Sequence, residues 1–578
     1  MAANPVLWTN EARCRDCNRC VRVCPVKAVE KKSGQARVII ERCLLCGLCV
    51  HECPQHAKAY ASEINLVRQL IGNPGRVIAS VAPSYPAAFE ESEWRRLPAV
   101  LRQLGFDLVT ETAVGAEIIS RSIAETIKAH PDQTYITTAC PAVVTYIRRY
   151  RPETSSLLLP FASPMLVHAR YLKKHFGPGI SVVFIGPCLA KKDEARWDGQ
   201  NGVDAVLTFE ELRTWIEEVG LDLKAAEESD FDGVLPEKAR TYPLAGGLLY
   251  TSALSTNQLD HSFLTVSGHD DVIEAIDSLA EPGPPLLLEA LMCPGGCLGG
   301  AGNPKKTLLN QFRTRNRFLR SIEPTPATTL RKPLDGEAPN ISLDIPNPHT
   351  LLIIKDPSES QIRQVLAQTG KHTTNDELDC GACGYSTCRE KAVAVLRGMA
   401  EIEMCLPFMR QKAEIQADAI VENSPNAVVI LDESLKIIHA NPQFHQMFMT
   451  SDLCRGKHIS TFIDPAPFQQ ILDGETNQWS DIVHFRAYGL TCRQMIYTIG
   501  SKDQRQIISI LVNLTVSKQQ EAALDRLRKE ALERAEQVID RQVEIAQEVA
   551  SLLGRSASET RLILQNLTEL VQRKDTLQ

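Results

Sequence analysis

The order of apolar and polar residues divides this chain into regions of different secondary structure. Between residues 61 and about 320, short apolar runs alternate with stretches in which apolar residues recur every three or four positions. The runs lie at 77–81, 134–137, 182–185, 205–207 and 286–291, and the clearest periodic stretches lie at 116–130 and 209–219. This alternation predicts the strands and helices of an α/β domain.

The C-terminal part of the chain shows two further patterns. Strand-like runs at 427–432, 435–440, 483–487, 492–499 and 506–512 surround a helical middle, which predicts an antiparallel α+β module. From residue 517, apolar residues at helical spacing as far as Leu553 predict an amphipathic helix, which Gly554 is expected to end. Ser558 is then expected to cap a second helix. We interpret these helices either as solvated packing helices or as a coiled coil through which the chain forms a homodimer.

Six prolines between residues 322 and 350 predict an extended linker. The predicted regions are residues 1–60, 61–321, the linker 322–350, residues 351–412, the module 413–516 and the helical segment 517–578. The fold class is therefore multidomain, with α/β and α+β parts.

The composition narrows the classes of function. The chain has 578 residues, a formal net charge of -7 and 18 cysteines. It has no apolar run of about 18 residues and no secretory signal, so we expect a cytoplasmic protein that does not enter a membrane. Its mild acidity argues against nucleic acid as a partner. Clustered cysteines in such a chain are reduced and are typical of metal sites.

Eight cysteines form two runs of identical spacing, each ending in Cys-Pro. The runs are Cys14, Cys17, Cys20 and Cys24, and then Cys43, Cys46, Cys49 and Cys53. This spacing is typical of two cubane [4Fe–4S] clusters, in which the fourth cysteine of each run ligates the other cluster. It is the signature of two-cluster ferredoxins. Two zinc ribbons are the alternative, but zinc sites use pairs of CxxC or mixed Cys and His ligands.

Residues 1–60 carry ten Lys or Arg against five Asp or Glu. We interpret this excess either as compensation for two anionic clusters or as a docking patch for an acidic, ferredoxin-like redox carrier.

Three apolar runs of the α/β region lead directly into Cys140, Cys188 and Cys293, and Cys297 follows closely. Ligands collect at the carboxyl ends of strands in open α/β sheets. The four thiols are therefore expected to converge and to hold a third cubane. The glycines between Cys293 and Cys297 are expected to let the backbone approach a bulky cofactor.

These segments resemble the three cluster-binding motifs of iron-only hydrogenases. The matching stretches are Thr-Thr-Ala-Cys140-Pro, Gly-Pro-Cys188-Leu-Ala-Lys191-Lys192-Asp-Glu194 and Leu-Leu-Leu-Glu289-Ala-Leu-Met-Cys293-Pro-Gly-Gly-Cys297-Leu-Gly-Gly-Ala-Gly-Asn-Pro304. Landmarks of that catalytic domain follow in the same order, at Gly115-Ala116-Glu117, Ser163-Pro164 and Ala245-Gly246-Gly247. The resemblance covers residues 1 to about 305.

The resemblance implies a composite cofactor, the H-cluster. Its cubane is held by the four thiols and joined, through the Cys297 sulfur, to a di-iron unit with carbonyl, cyanide and azadithiolate ligands. Lys191 matches the position whose ammonium binds a cyanide ligand. In this family the cofactor splits dihydrogen heterolytically, and the protein supplies orientation, a dry cavity and electron wires. The implied partners are H2, protons and hydrogenase maturation proteins.

This sequence departs from the family pattern at three positions, two of which concern proton transfer. Fast members carry a proton-relaying cysteine at the position of Ala139, which has no proton to give. Gly186 replaces a usual methionine, and Leu159 replaces a serine of the proton path. A lost relay typically costs on the order of 10²–10⁴ in rate. These changes, with the missing C-terminal small-subunit motif, resemble the sensory subgroup of the family.

Two further motifs lie beyond the linker. Cys380, Cys383, Cys388 and Cys405 have a spacing that can close a fourth cubane, with a zinc site as the alternative. Asp432, the Ala440-Asn441-Pro442 segment and Phe444 resemble a PAS domain. Its histidines are expected to be ordinary residues, and Cys454 and Cys492 match no cluster spacing.

The leading hypothesis is a hydrogenase of the sensory type that oxidises H2 slowly and reversibly. Its electrons would pass through the Cys14–Cys53 clusters or the Cys380–Cys405 cluster, and its redox state would reach the PAS module. No kinase or phosphatase motif follows, so the output would go to a separate signalling protein. The alternatives are a catalytic hydrogenase with a different proton path and an iron–sulfur scaffold of cluster assembly that lacks the di-iron unit.

Overall fold

The structure is a computed structural model, and it describes residues 6–199, 202–257, 259–304, 311–322, 340–346, 352, 356–474, 478–499 and 505–572. The chain divides into two compact units, Met1–Met409 and Arg410–Gln578. Most of the linker predicted over 322–350 lies outside the described residues.

The N-terminal region is a small repeat. Strand β1 (Leu7–Thr9) pairs with β4 (Lys58–Tyr60), and β2 (Val29–Lys32) pairs with β3 (Gln35–Val38), both antiparallel. Helices α1 (Arg19–Val23) and α2 (Leu48–His51) each follow a cysteine loop. The two loops have the same backbone conformation. The residues with positive φ in the first loop, Asp16, Asn18 and Lys27, correspond to Leu45, Gly47 and His56 in the second, at the same offset as the cysteines. The predicted ferredoxin-like repeat is confirmed.

The α/β region contains two parallel sheets instead of one. The first has the order β6-β5-β8-β9 and the second the order β10-β11-β7. The strands are β5 (Val77–Val81), β6 (Leu108–Glu111), β7 (Tyr135–Ile136), β8 (Ser181–Gly186), β9 (Ala205–Thr208), β10 (Phe263–Ser267) and β11 (Leu287–Leu291). The apolar pattern does not reveal β6 and β10, which are short and mix polar with apolar residues.

Helices cover both sheets and enclose two apolar cores, one around the first sheet and one shared by the second sheet and the N-terminal repeat. They are α3 (Ile64–Gly72), α4 (Tyr85–Ala88), α5 (Glu91–Trp94), α6 (Leu97–Gln103), α7 (Ala113–Ala129), α8 (Pro141–Tyr150), α9 (Pro164–Phe176), α10 (Ala190–Glu194), α11 (Phe209–Val219), α12 (Gly247–Thr251), α13 (His269–Ser278) and α14 (Gln311–Ser321). The described linker residues 340–346 run along this domain, where the Ala162 N–H donates to Leu343 O at 2.7 Å.

Helices α15 (Glu359–Gln368) and α16 (Cys388–Leu396) form a small domain beyond the linker. Helix α17 (Leu406–Glu422) begins directly after Cys405 and continues into the second unit. No helix among the described residues is long and apolar enough to cross a membrane.

The second unit begins with an antiparallel sheet of order β13-β12-β16-β15-β14. Its elements are β12 (Ala427–Leu431), β13 (Ile437–Ala440), α18 (Pro442–Met447), α19 (Ala466–Leu472), β14 (Gln478–Phe485), β15 (Leu490–Ile499) and β16 (Gln506–Asn513). The Asn441 side chain accepts the N–H groups of Val428 and Phe444, which ties the strand pair to α18. The predicted α+β module is confirmed.

The expected break at Gly554 is wrong. Helix α20 (Thr515–Gln572) runs through it, and Ser558 Oγ donates back to Gly554 O at 2.9 Å instead of capping a new helix. A single glycine costs about 1 kcal/mol in a helix, which 58 residues of continuous hydrogen bonding override. Because the helix is continuous, exposed residues spaced alternately by four and three form one seam, which is apolar except at Thr560: Ile539, Val543, Ala546, Ala550, Leu553, Ala557, Thr560, Leu564 and Leu567.

Candidate metal centres

The carboxyl ends of both parallel sheets point to one place, where four cysteines meet. Cys188 follows β8 of the first sheet, whereas Cys140 follows β7 and Cys293 follows β11 of the second. We call Cys140, Cys188, Cys293 and Cys297 the strand-end site. Burial raises the pKa of Cys293 well above its usual range, and the nearby thiols of Cys188, Cys140 and Cys297 raise it further. Four half-buried thiols brought together in this way are a donor set that fits a metal centre, whose positive charge would stabilise their thiolate forms.

The glycines around Cys297 let segments of protein backbone approach each other closely, and the expected approach of Gly295 and Gly296 to a cofactor stays a prediction. A methyl group on Gly296 would overlap Pro243 O, and one on Gly300 would lie 2.6 Å from Pro187 O. The Gly302 N–H donates to Pro187 O at 2.7 Å. The loop that carries Cys297 is therefore packed directly on the loop that carries Cys188.

Lys191 places a buried ammonium beside these thiols. Only 8% of the residue is exposed, and its Nζ lies 2.5 Å from Glu194 Oε2 and 3.4 Å from Ala139 O. Its charge lowers the pKa values of Cys188 and Cys297, against the larger effect of burial, which raises them to about 11 and about 12. Burial also raises the pKa of Glu194, and Lys191 opposes this. A buried cation at this point suits an anionic group bound next to the thiolates.

Ala139 lies shortly after β7 of the second sheet and directly before Cys140, and it packs against the apolar core of the first sheet. It is half-buried, and its backbone oxygen faces the Lys191 ammonium. Leu159 is fully buried, and a side chain at Gly186 would lie 2.6 Å from the Phe184 ring. Apolar atoms therefore occupy the positions where the family pattern has proton-carrying or polarisable groups.

The two N-terminal runs interleave. Cys24, Cys43, Cys46 and Cys49 line one cavity, which we call the proximal site. Cys14, Cys17, Cys20 and Cys53 form the distal site: after burial and the opposing Lys58 charge, the thiols of Cys14, Cys17 and Cys53 raise the pKa of Cys20. The buried Lys58 ammonium, which donates to Ala36 O at 2.9 Å, also lowers the pKa of Cys49 in the proximal site, against burial and neighbouring thiols.

The proximal site is next to the strand-end site. Burial raises the pKa of Cys46 beyond its usual range, and Cys188 is among the thiols that add to this effect. Gly47 follows Cys46, and a methyl group there would overlap Ala301 and lie 2.9 Å from Leu189 Cδ1. The N-terminal repeat therefore packs without a gap against both ligand loops.

Cys380, Cys383, Cys388 and Cys405 line a single cavity, which we call the fourth site. Lys371 and Lys391 line it too, and Lys371 Nζ donates to Cys405 Sγ at 3.5 Å. Four cysteines and two lysines around one cavity fit an anionic cluster.

Other candidate ligands stay apart from these sites. Cys454 and Cys492 are buried in the second unit. Cys454 Sγ lies 4.0 Å from His445 Nδ1. Within the described ranges, no group of three or more His, Cys, Asp or Glu side chains could hold a single metal ion.

Models of known protein families match the regions that carry these sites. The model described as "Iron only hydrogenase large subunit, C-terminal domain" matches residues 75–301, which include the whole strand-end site. Residues 75–301 are therefore a domain of the iron-only hydrogenase family. A 4Fe-4S dicluster domain matches residues 7–65, an Fe-S cluster domain matches residues 376–407, and a PAS domain matches residues 417–478. Iron–sulfur clusters are therefore cofactors of this chain.

Curated relatives are distant. The NADP-reducing hydrogenase subunit HndD of Solidesulfovibrio fructosivorans is 27% identical, covering 45% of this chain and 56% of that protein. Iron hydrogenase 1 of Clostridium pasteurianum is 23% identical, covering 48% and 66%. The cytosolic Fe-S cluster assembly factor NAR1 of Yarrowia lipolytica is 24% identical, covering 38% and 51%. The chain spans between about half and two thirds of the length of these relatives.

The cysteine spacing did not reveal several residues that shape the sites. Glu194 holds the Lys191 ammonium, although the motif shows it only as the last letter of a charged run. Lys27 and Tyr385 lie between two sites whose cysteines are far apart in the chain. No sequence signal identifies them, because each contact joins segments more than 350 residues apart.

Proposed function

We propose that this protein is a sensory-type hydrogenase that oxidises H2 slowly and reversibly to protons and electrons. The observation that carries the proposal is the strand-end site: four converging thiols and a buried ammonium, with an alanine where a proton relay is expected. The chemistry of this donor set fits a cubane, and Lys191 fits an anionic ligand of a di-iron unit. When bound, that unit with its carbonyl, cyanide and azadithiolate ligands supplies the heterolytic cleavage of H2.

The chain's own residues then set the rate. The thiols of the strand-end site hold the cubane, and Glu194 orients Lys191 toward it. The Ala139 methyl group can neither accept nor donate a proton, and Leu159 extends the apolar surroundings. Protons must therefore leave the site without a positioned relay, which supports turnover lower by on the order of 10²–10⁴ than with one.

The proposed sensory role is supported by the fourth site and by the PAS domain that follows it in the chain. Cys405 of the fourth site immediately precedes helix α17, which leads into the PAS domain. A change in cluster charge at Cys405 therefore occurs at the base of this helix. The output passes to a separate signalling protein such as a kinase or phosphatase.

We also propose that helix α20 joins two copies of the chain. Its seam from Ile539 to Leu567 is exposed along its whole length, and the repeat of four and three is that of a two-stranded coiled coil. A second copy presents an identical seam, which makes it the matching occupant.

Substitution of Ala139 by Cys tests the proposal. The variant should turn over H2 faster, by up to on the order of 10²–10⁴, because a thiol can relay protons. Ala139→Ser is the matched control, since it adds a group of similar size that ionises far less readily than a thiol. An unchanged rate in Ala139→Cys, with carbonyl and cyanide infrared bands intact, would contradict the relay argument.

The similarity to NAR1 favours a second candidate, an iron–sulfur scaffold without a di-iron unit. Infrared spectra of anaerobically matured protein separate the two. Carbonyl and cyanide bands support the hydrogenase, and their absence supports the scaffold.

A further inference from the structure

The fourth site is docked on the N-terminal repeat at helix α1. Lys27 is the centre of the contact: its ammonium donates to Val21 O at 3.2 Å and Arg22 O at 3.2 Å within the repeat, and to Gly384 O at 3.1 Å across the contact. It also lies 5.7 Å from the centroid of the Tyr385 ring. All three N–H donors of the ammonium are thus used, two to fix it on the repeat and one to join the two domains.

The backbones approach closely at the same point. A methyl group on Gly384 would lie 3.1 Å from Val21 Cβ and 3.2 Å from the Arg22 backbone nitrogen. Two further bonds extend the contact: the Lys31 N–H donates to Met399 O at 2.9 Å, and the Ser33 N–H donates to Glu401 Oε1 at 2.6 Å. The fourth site is therefore held in one orientation on the repeat.

Tyr385 occupies the space between two cysteine sites. It is 2% exposed, it lines the cavity of the fourth site, and its hydroxyl has no hydrogen-bond partner among the described residues. Cys24 of the proximal site, Cys14 and Cys20 of the distal site and Cys383 of the fourth site all pack against the apolar cluster that contains Tyr385. Cys24 is in addition joined to the fourth site by hydrogen bonds, because the Ala28 N–H donates to Cys24 Sγ at 3.1 Å and the adjacent Lys27 ammonium donates to Gly384 O. A buried hydroxyl without a partner is costly, and a cluster sulfur would accept its hydrogen bond.

We propose that the fourth site exchanges electrons directly with the proximal site, across the Lys27–Tyr385 contact at Cys24, without passing through the distal site. The proximal site then has two neighbours, the strand-end site at Cys46 and the fourth site at Cys24. The distal site, whose Cys17 is exposed, is a separate branch toward external redox carriers. The inference rests on the proposed function only for the source of electrons.

The transferred species is one electron. Cleavage of one H2 releases two protons and two electrons, and each electron reduces one cubane from the 2+ to the 1+ state. An electron that leaves the reduced proximal cluster reoxidises it to 2+ and reduces the fourth cluster to 1+. No bond between protein atoms changes.

The test uses full-length protein produced without maturation proteins, so that it contains cubanes but no di-iron unit. After reduction with dithionite, electron paramagnetic resonance reports magnetic coupling between neighbouring clusters. Cys17→Ala removes a ligand of the distal cluster, and we expect the coupling between the fourth and proximal clusters to persist. A magnetically isolated fourth cluster in this variant would overturn the proposal, because it would show that its neighbour is the distal cluster.

A second pair of variants keeps the test decisive if Cys17→Ala also loses the proximal cluster. Gly384→Ala introduces tight contacts, at 3.1 Å from Val21 Cβ and 3.2 Å from the Arg22 backbone nitrogen, together with a strained backbone (φ 94°), whereas Gly398→Ala introduces the strain (φ 69°) with no atom within 4 Å. We expect loss of the coupling in Gly384→Ala and its retention in Gly398→Ala. Equal coupling in both would contradict the role of the contact. Since neither measurement involves H2, a negative result is distinct from a failure of the proposed hydrogenase activity.

Discussion

Replacing Lys192 by Met tests whether the two adjacent lysines after Cys188 have different roles. The family pattern assigns a role to Lys191 alone, and in the structure α10 directs Lys191 and Lys192 to different surroundings. Lys191 faces the strand-end site, whereas the Lys192 side chain is fully buried beneath β9. Its ammonium donates to Val206 O at 2.7 Å and lies 3.0 Å from Glu211 Oε2. We therefore expect Lys192→Met to affect stability, and Lys191→Met to affect the site.

The magnitude follows from what Lys192→Met leaves behind. Glu211 also accepts the N–H groups of Glu63 and Thr208 at 2.9 and 2.7 Å, so its carboxylate cannot move to solvent. Removing one partner of a buried ion pair costs about 3–5 kcal/mol. For a domain of this size each kcal/mol lowers Tm by roughly 2–4 °C, so the apparent Tm should fall by about 6–20 °C.

The assay is thermal unfolding followed by circular dichroism at a fixed scan rate, with Lys224→Met as the control. Lys224 forms an exposed ion pair with Glu90 at 2.9 Å, and its loss should leave Tm unchanged. Lys191→Met should shift Tm less than Lys192→Met, because Glu194, whose pKa burial already raises, can take up a proton. An apparent Tm of Lys192→Met within experimental error of wild type would refute the reasoning.

Three further predictions follow from other sites. Burial raises the pKa of Glu289 to about 7 from its ordinary 4.5, so folding takes up a proton between these two pH values. The free energy of unfolding should therefore fall as pH rises from 4.5 to 7, and Glu289→Gln should flatten this pH dependence in denaturant titrations. Leu553→Asp should convert dimers to monomers in sedimentation experiments, whereas Arg555→Asp, on the opposite face of α20, should not; a monomeric wild type would contradict the proposed coiled coil. Cys388→Ser should lower the iron content, about 16 atoms in four cubanes, by about a quarter, and an unchanged content would argue against a cluster at the fourth site.

The hydrophobic pattern predicted those helices and strands whose local sequence is compatible with only one secondary structure. The buried strand β5 and the helix α11 were predicted almost to their ends, because an unbroken apolar run and a 3.6-residue period each have one solution. The expected division of the C-terminal helix at Gly554 is wrong, because the unfavourable helix propensity of one glycine, about 1 kcal/mol, is outweighed by the helical residues on either side. The strands β6 and β10 were missed, because their place in a sheet depends on neighbours such as β5 and β11.

At the candidate sites the same division holds. Cysteine spacing predicted the interleaved N-terminal sets, and the structure brings Cys24 together with Cys43, Cys46 and Cys49. It also predicted convergence at strand ends, but not that two sheets contribute or that the glycines near Cys297 contact Pro187 and Pro243. The sequence did not predict which cysteine sites lie next to one another.

The sequence by itself determined the candidate ligands of the N-terminal clusters, because cysteines three or four positions apart are brought together by one turn of backbone whatever surrounds it. It also determined that the Ala139 side chain has no ionisable proton, because this depends only on covalent structure. Only the tertiary structure decided that Lys191 faces the thiols while Lys192 is buried in an ion pair, since neighbours on a short helix point in different directions. Only the tertiary structure placed Tyr385 beside Cys24, because contacts between segments hundreds of residues apart depend on how whole domains pack and leave no trace in local spacing.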